Sequence, residues 1–229
     1  MLPYPRGRFS ERTFVIGYVV FVRSRTGTRS HCDSPGRANV FWQLFKNPNK
    51  PLGTTLIMGA WNYPFDLTIG PLSGAIAAGN TAVVKPSELS AASAQLMMEK
   101  LPQYIDSDAF PVFVEGPEGS GRLLKERYDM IFFTGGTHIG KIVMKAAAEH
   151  LTPVILELGG KNPTWIDESA NFSMVAHRLM FGKCINSGQI CISPNYVMCK
   201  SAVKDKLVEA IKTVMKEWYD DNPEKSNCK

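Results

Sequence analysis

The chain has 229 residues, 44% hydrophobic and 21% charged, with a net charge of +5, an ordinary globular composition for one large or two smaller domains. Its basic residues are scattered and never interleaved with aromatics in a block, which argues against nucleic-acid binding. Five unpaired-looking cysteines (Cys32, Cys184, Cys191, Cys199, Cys228) and histidines at 31, 138, 150 and 177 show neither a disulfide framework nor metal-ligand spacing, so no metal is expected. The thiols read as reduced and the compartment as the cytoplasm.

Residues 1–50 are an atypical amino-terminal segment, rich in Arg, Gly, Pro and Ser around the apolar run Phe14 to Val22. That run is flanked by arginines on both sides and reads as a buried strand rather than a targeting signal. No run is long enough to span a bilayer. From Pro51 the pattern becomes regular. Leu52 to Ala60 reads as a strand, and Phe65 to Ala78 as a helix apolar almost all round, hence buried, with Pro71 a candidate kink. Thr81 to Val84 is a strand ending at Lys85-Pro86. Ser87 opens a helix to about Tyr104. Strands follow at Phe110 to Val114, Asp129 to Phe133 and Val154 to Leu158, with helices around Leu123 and from Gly140 to His150. Pro163 to Ile166 is extended, Phe172 to Ile185 helical and Asn195 to Cys199 a strand. Val203 to Trp218 is an amphipathic helix with Leu207, Ile211, Val214 and Trp218 on one side. The alternation predicts an α/β protein with a Rossmann-like, mostly parallel sheet flanked by helices, followed by the first part of an α/β catalytic domain. The expected boundaries are 51–157 for a partial NAD(P)-binding domain and 158–229 for the start of the catalytic domain.

Five stretches could carry chemistry. Asn186-Ser187-Gly188-Gln189-Ile190-Cys191 places a thiol after a glycine turn, where it can serve as a nucleophile or simply pack as a small hydrophobe. Gly59 to Pro64 sets Asn62 at a strand's carboxyl end, suited to an oxyanion or to turn backbone groups. Lys85-Pro86-Ser87-Glu88 suits ribose hydroxyls or a solvated helix cap. Phe133 to Gly140 is a glycine-rich turn before a helix, fit for a phosphate or for a tight connection, with His138 at the surface. Leu156 to Lys161 puts Glu157 in an apolar strand, where burial would raise its pKa and make it a base, unless a partner makes it structural.

Together these stretches resemble the aldehyde dehydrogenase superfamily, and in detail its class 3 branch, which includes the fatty aldehyde dehydrogenases. The carrying segments are PLGTTLIMGAWNYPFDLTIGPLSGAIAAGNTAVVKPSE, FFTGGTHIGKIVMKAAAEHLTPVILELGGKNP and NSGQICISPNYV, and the resemblance runs from about Pro51 onward. It implies that Cys191 attacks an aldehyde, aliphatic of medium or long chain or aromatic, and that the Asn62 amide and the Cys191 N–H hold the oxyanion. Hydride passes to NAD or NADP, and Glu157 activates water against the thioester. The resemblance places Trp61, Lys85, Glu88, Thr134, Gly135, Gly136, Thr137, Gly140 and Gly159 around the cofactor. It implies a homodimer for the full-length family.

Two other functions stay open: an inactive family fragment that binds a full-length subunit, and a thiol esterase. Three departures accompany the resemblance. Gly136 stands where the family usually has Ser or Thr. Residues 1–50 do not match. The family's catalytic domain continues past Lys229, with a further cofactor-binding Glu, more strands, a dimerisation arm and, in some class 3 members, a membrane-anchoring tail. A partial sheet is therefore expected to leave an unpaired edge and an apolar face, and the chain alone to be poorly stable or prone to associate.

Overall fold

The computed structural model describes residues 51–220 and the backbone of two short strands before them. The rest of the amino-terminal segment lies outside the described residues. The structure divides into two compact units, one of residues 37–159 and one of 1–36 with 160–229.

The first unit is built on four parallel strands: β3 (Thr54–Met58), β4 (Thr81–Lys85), β5 (Met130–Thr134) and β6 (Val154–Glu157), in the order β4-β3-β5-β6. Both faces of this sheet are covered, which explains strands of nearly continuous apolar residues. Alternation still decides which helix each side chain meets. Ile57, Ala82, Val84, Met130 and Phe132 pack with Leu72 and Ala75 of α1 (Asp66–Ala77). Leu56, Met58, Ile131 and Phe133 pack with Val143 and Ala147 of α4 (Thr137–Ala148) on the other face. Helices α2 (Ala91–Lys100) and α3 (Pro117–Leu123) lie in the connection from β4 to β5.

Four readings of this unit need correction. Helix α1 is not buried all round: Thr68, Pro71, Leu72, Gly74 and Ala75 are buried, whereas Ile69 and Ile76 are exposed on its outer side. It packs on one sheet face only, so Ile69 and Ile76 stay uncovered among the described residues. The segment at Phe110 to Val114 is not a full strand. It meets β4 through one bridge, Val84 with Val112, and Pro111 has no N–H to extend the ladder. Helix α4 begins at Thr137, three residues before the expected Gly140, with Gly136 as its N-cap. The helix expected from Ser87 to Tyr104 is α2 between two single 3-10 turns, Glu88–Ser90 and Leu101–Gln103.

The second unit carries the sheet β1-β2-β7-β8. The apolar run Phe14 to Val22, read as one strand, holds two: β1 (Val15–Ile16) and β2 (Val19–Val22), paired antiparallel. Strand β2 runs parallel to β7 (Asn162–Ile166), which runs parallel to β8 (Pro194–Cys199). Helices α5 (Phe172–Cys184) and α6 (Ser201–Tyr219) enclose a core of Ile166, Ala170, Val175, Val203 and Leu207. Among the described residues β8 is the last strand of its sheet and exposes Tyr196, Val197 and Met198. No helix among the described residues is long and apolar enough to cross a membrane.

His177 of α5 ties that helix to α6. Its Nδ1 lies 2.8 Å from the Ser173 carbonyl and its Nε2 lies 3.0 Å from a Glu217 carboxylate oxygen. Both partners accept, and only the imidazolium donates from both nitrogens. The Ser173 carbonyl is the largest influence on its pKa; burial opposes it, and Glu217 reinforces it, leaving His177 above the ordinary histidine value. A raised folded-state pKa gives stability that is complete below the unfolded-state value and fades as pH rises through the folded one. Thermal melts of the chain between about pH 5 and 8 should therefore show stability falling with pH, by at most about 1 kcal/mol for so exposed a pair. In His177→Gln this component of the slope should vanish.

Candidate active site

Because the first sheet is parallel, the carboxyl ends of its four strands lie along one edge. Met58 is paired with Lys85 and Phe133, and Thr134 with Glu157. All the candidate residues of this unit follow these ends: Trp61 and Asn62 after β3, Lys85 and Glu88 at β4, Thr134 to Gly140 at β5, Glu157 and Gly159 at β6. The connections after β3 and β5 lead to helices on opposite faces, which makes this the topological switch point where open α/β sheets hold ligands.

Lys85 is 4% exposed, and its Nζ donates to Glu88 Oε2 at 2.7 Å and to the Pro86 carbonyl at 3.2 Å. Burial pushes the Glu88 carboxyl up, but the Lys85 hydrogen bond, its own backbone N–H and the Lys85 charge together hold it below the usual Glu value. Ser87 Oγ accepts from the Leu89 N–H and caps the turn that presents Glu88.

Thr134 closes β5. Its hydroxyl is buried and has no hydrogen-bond partner among the described residues. The Gly135 N–H donates to the Glu157 carbonyl at 3.0 Å, so the glycine turn and the Glu157 segment are tied by their backbones. Helix α4 then opens with no side-chain cap and no acidic residue in its first turn, whereas α1 opens with Asp66. Of the two helix starts at this edge, that of α4 is the better suited to an anion. His138 is exposed, as expected. Asn62 is half-buried in the turn before α1, and Trp61 is largely exposed.

Glu157 departs from expectation. A carboxylate in an apolar strand was expected to be buried, with its pKa raised by desolvation. The side chain is exposed instead, because Glu157 is the last residue of β6 and β6 is the outermost described strand of its sheet. Chemistry assigned to Glu157 therefore rests on its position at the strand end, not on desolvation.

Cys191 belongs to the second unit. Helix α5 ends at Cys184, and Asn186 (φ 52°), Ser187 (φ 55°) and Gly188 (φ 74°) follow in the left-handed region. Only glycine adopts that region without cost, so two non-glycine residues there mark a strained approach to the thiol. The Gln189 N–H donates to the Asn186 carbonyl, and the Ser193 N–H to the Ile190 carbonyl at 3.1 Å, which folds residues 190–193 into a turn carrying the half-buried Cys191. Asn162, at the start of β7, was not singled out from sequence. It is 3% exposed, and its Nδ2 donates to the Cys191 carbonyl at 2.7 Å and the Ser193 carbonyl at 3.0 Å.

A parallel α/β sheet with its polar residues gathered at the strand ends defines an NAD(P)-binding type of fold. The chain belongs to the aldehyde dehydrogenase family, whose sequence profile matches residues 34–229. The match begins upstream of Pro51, where the resemblance was placed, so the segment 1–50 is not wholly foreign to the family. The chain is 52% identical over 177 residues to aldehyde dehydrogenase family 3 member A2 of Pongo abelii, covering 77% of this chain and 36% of that protein. It is 49% identical over 178 residues to the dimeric NADP-preferring aldehyde dehydrogenase of Canis lupus familiaris, covering 78% and 39%. Among solved structures, the substrate-bound AldH of Staphylococcus aureus is 42% identical with a TM-score of 0.73, over 77% of this chain and 39% of that one. An aldehyde dehydrogenase of Mycobacterium tuberculosis complexed with NAD+ is 28% identical with a TM-score of 0.65, over 73% and 35%. The chain thus spans well under half the length of the relatives it matches.

Gly136 has ordinary helix-cap angles, and a Cβ there would meet nothing within 4 Å. Gly136→Ser should fold normally and gain a few tenths of a kcal/mol from the added cap, read as a rise in melting temperature. A fall would show that the turn needs the bare glycine.

Proposed function

We propose that the chain carries the cofactor groups and nucleophile of an NAD(P)-dependent aldehyde dehydrogenase acting through a cysteine thioester. The observation that supports this most is the gathering of Asn62, Lys85, Glu88, Thr134 and Glu157 at one edge of a single parallel sheet. The residues present fit a dinucleotide: an orphaned buried hydroxyl at Thr134 and an uncapped helix start without acidic residues suit a phosphate. Lys85 and Glu88 would hold the adenosine ribose, the ammonium donating and the carboxylate accepting. Trp61, Gly135, Gly136, Thr137, Gly140 and Gly159 would line the cofactor's path. When bound, NAD(P)+ supplies the hydride acceptor.

Cys191 Sγ would add to the aldehyde carbonyl carbon, its proton passing to solvent. The developing oxyanion would be held by the Asn62 side-chain amide and the Cys191 backbone N–H, a device worth about 3–4 kcal/mol per donor. Collapse of the oxyanion with loss of the carbon's hydrogen as hydride, to the acceptor that NAD(P)+ would supply, would leave Cys191 bearing the acyl group as a thioester. Glu157 would take a proton from water as the water attacks the acyl carbon, releasing the acid and the thiolate. The substrate class we infer from the resemblance to the class 3 branch is an aldehyde, aliphatic of medium or long chain or aromatic.

NADH formation with a medium-chain aldehyde tests the reading. Cys191→Ala should abolish it. Asn62→Ala should lower kcat by about 10²–10³. Glu157→Gln should leave a single rapid burst of NADH followed by slow turnover, because only thioester hydrolysis needs the base. NADH formation undiminished in Cys191→Ala would overturn the mechanism. Ester cleavage by Cys191 without NADH formation would favour the thiol-esterase reading instead.

Glu88 also bears on which cofactor is preferred. A carboxylate beside the ribose should repel a 2′-phosphate, so NAD is the inferred cofactor. Glu88→Gln should raise the NADP-to-NAD ratio of kcat/KM by roughly tenfold. An unchanged ratio would remove Glu88 from the ribose.

A further inference from the structure

We propose that Asn162 is a positioning residue for Cys191: its buried carboxamide sets the orientation of the nucleophile and of the backbone N–H beside it. The proposal rests on the reading of Cys191 as the nucleophile. Two peptide planes flank Cys191. The preceding plane, which contains the Cys191 N–H, is held through its Ile190 oxygen by the Ser193 N–H at 3.1 Å. The following plane is held through the Cys191 oxygen by Asn162 Nδ2 at 2.7 Å. With both planes fixed, the φ and ψ of Cys191 are fixed, and so are the directions of its Cα–Cβ bond and its N–H.

The second Asn162 contact, to the Ser193 carbonyl at 3.0 Å, closes the same turn from behind. An amide nitrogen carries two hydrogens, and each has one acceptor here. A hydroxyl or a carboxylate in that place could not serve both carbonyls.

Gly160 supplies an independent sign that this approach is built. A Cβ on Gly160 would lie 2.6 Å from the Cys191 carbonyl oxygen and 3.2 Å from the Asn162 amide. The chain entering β7 therefore needs a bare backbone at Gly160 to come this close to the Cys191 turn. The turn has need of an anchor, since Asn186 and Ser187 upstream sit in left-handed backbone that favours relaxation. Anchoring from β7 gives the loop the rigidity of a strand.

The test compares two reactions of the same sulfur in the full chain. Acylation by p-nitrophenyl acetate forms an S–C bond to the acetyl carbon, breaks the C–O bond to nitrophenolate and loses the thiol proton to solvent. It passes through an oxyanion and so needs the N–H in place. Alkylation by iodoacetamide needs only an accessible thiolate. In Asn162→Asp, which keeps the shape but turns a donor into an acceptor, and in Asn162→Ala, acylation at Cys191 should slow by about tenfold or more. Alkylation at Cys191, read by peptide mass, should change by no more than about twofold. Cys184 and Cys199 serve as internal references. Equal slowing or quickening of both reactions at Cys191, or joint exposure of all three cysteines with a lowered melting temperature, would mean a merely structural role and overturn the proposal. Acylation at the wild-type rate in both variants would overturn it too, leaving Cys191 as nucleophile. A wild-type chain not acylated at Cys191 at all would remove the nucleophile and the positioning role together.

Discussion

Parallel pairing of β3 with β4 on one side and β5 on the other is the constraint from which the arrangement of the first unit follows. Parallel neighbours cannot be joined by a tight turn, so each crossover must carry a helix back along the sheet. Crossovers keep one hand, so a chain that moves from β3 to β4 covers one face and a chain that moves from β5 to β6 covers the other. Ile57, Val84 and Phe132 thus meet α1, while Leu56, Ile131 and Phe133 meet α4. The two connections part company at the carboxyl ends of β3 and β5. Open α/β sheets hold ligands at such a divide, and the candidate residues of this unit follow those strand ends.

The turn that carries Cys191 is organised differently. Nothing repetitive supports it: three successive left-handed residues lead out of α5, and each of the two non-glycine ones costs on the order of 1–3 kcal/mol. Such a backbone persists only if its surroundings over-determine it. In the second unit that is the work of Asn162, the Ile190–Ser193 turn and the close approach of Gly160. Strain upstream and anchoring downstream leave the thiol on a short, tightly defined piece of chain.

Much of the first unit was legible in the sequence, for physical reasons. Runs such as Met130 to Thr134 are short, apolar and bounded by turn residues, and a strand buried on both faces produces that pattern. The glycines and Lys85-Pro86 marked the strand ends. What could not be read depended on partners distant in sequence. The apolar face of α1 at Ile69 and Ile76 looks identical to its buried face until the sheet is seen to occupy one side only. Glu157 looked buried because three apolar residues precede it; its exposure comes from being the last residue of an outermost described strand. Asn162 carried no signal, since its acceptors are backbone carbonyls 29 and 31 residues away. Backbone acceptors leave no trace in residue type. A small clue was present in Gly159-Gly160, where a second glycine beyond what a turn requires points to a close approach.

Lys85 and Glu88 make one contact that serves the fold and, in the proposed reading, would also hold a ribose. An ammonium buried to 4% exposure would destabilise the sheet if left unpaired. Glu88, half in solvent, prevents that and is itself held ionised by the same contact. A pair of this kind contributes little net stability, because desolvation offsets most of the Coulomb attraction. Its value lies in orientation. Lys85 Nζ has three hydrogens and uses them on Glu88 and the Pro86 carbonyl, leaving one direction open. Glu88 has a second carboxylate oxygen beyond the one that meets Lys85. A vicinal diol offers one acceptor oxygen and one donor hydroxyl at similar spacing, so it can bridge such a pair without breaking it. A phosphate offers only acceptors and added negative charge, which the carboxylate resists.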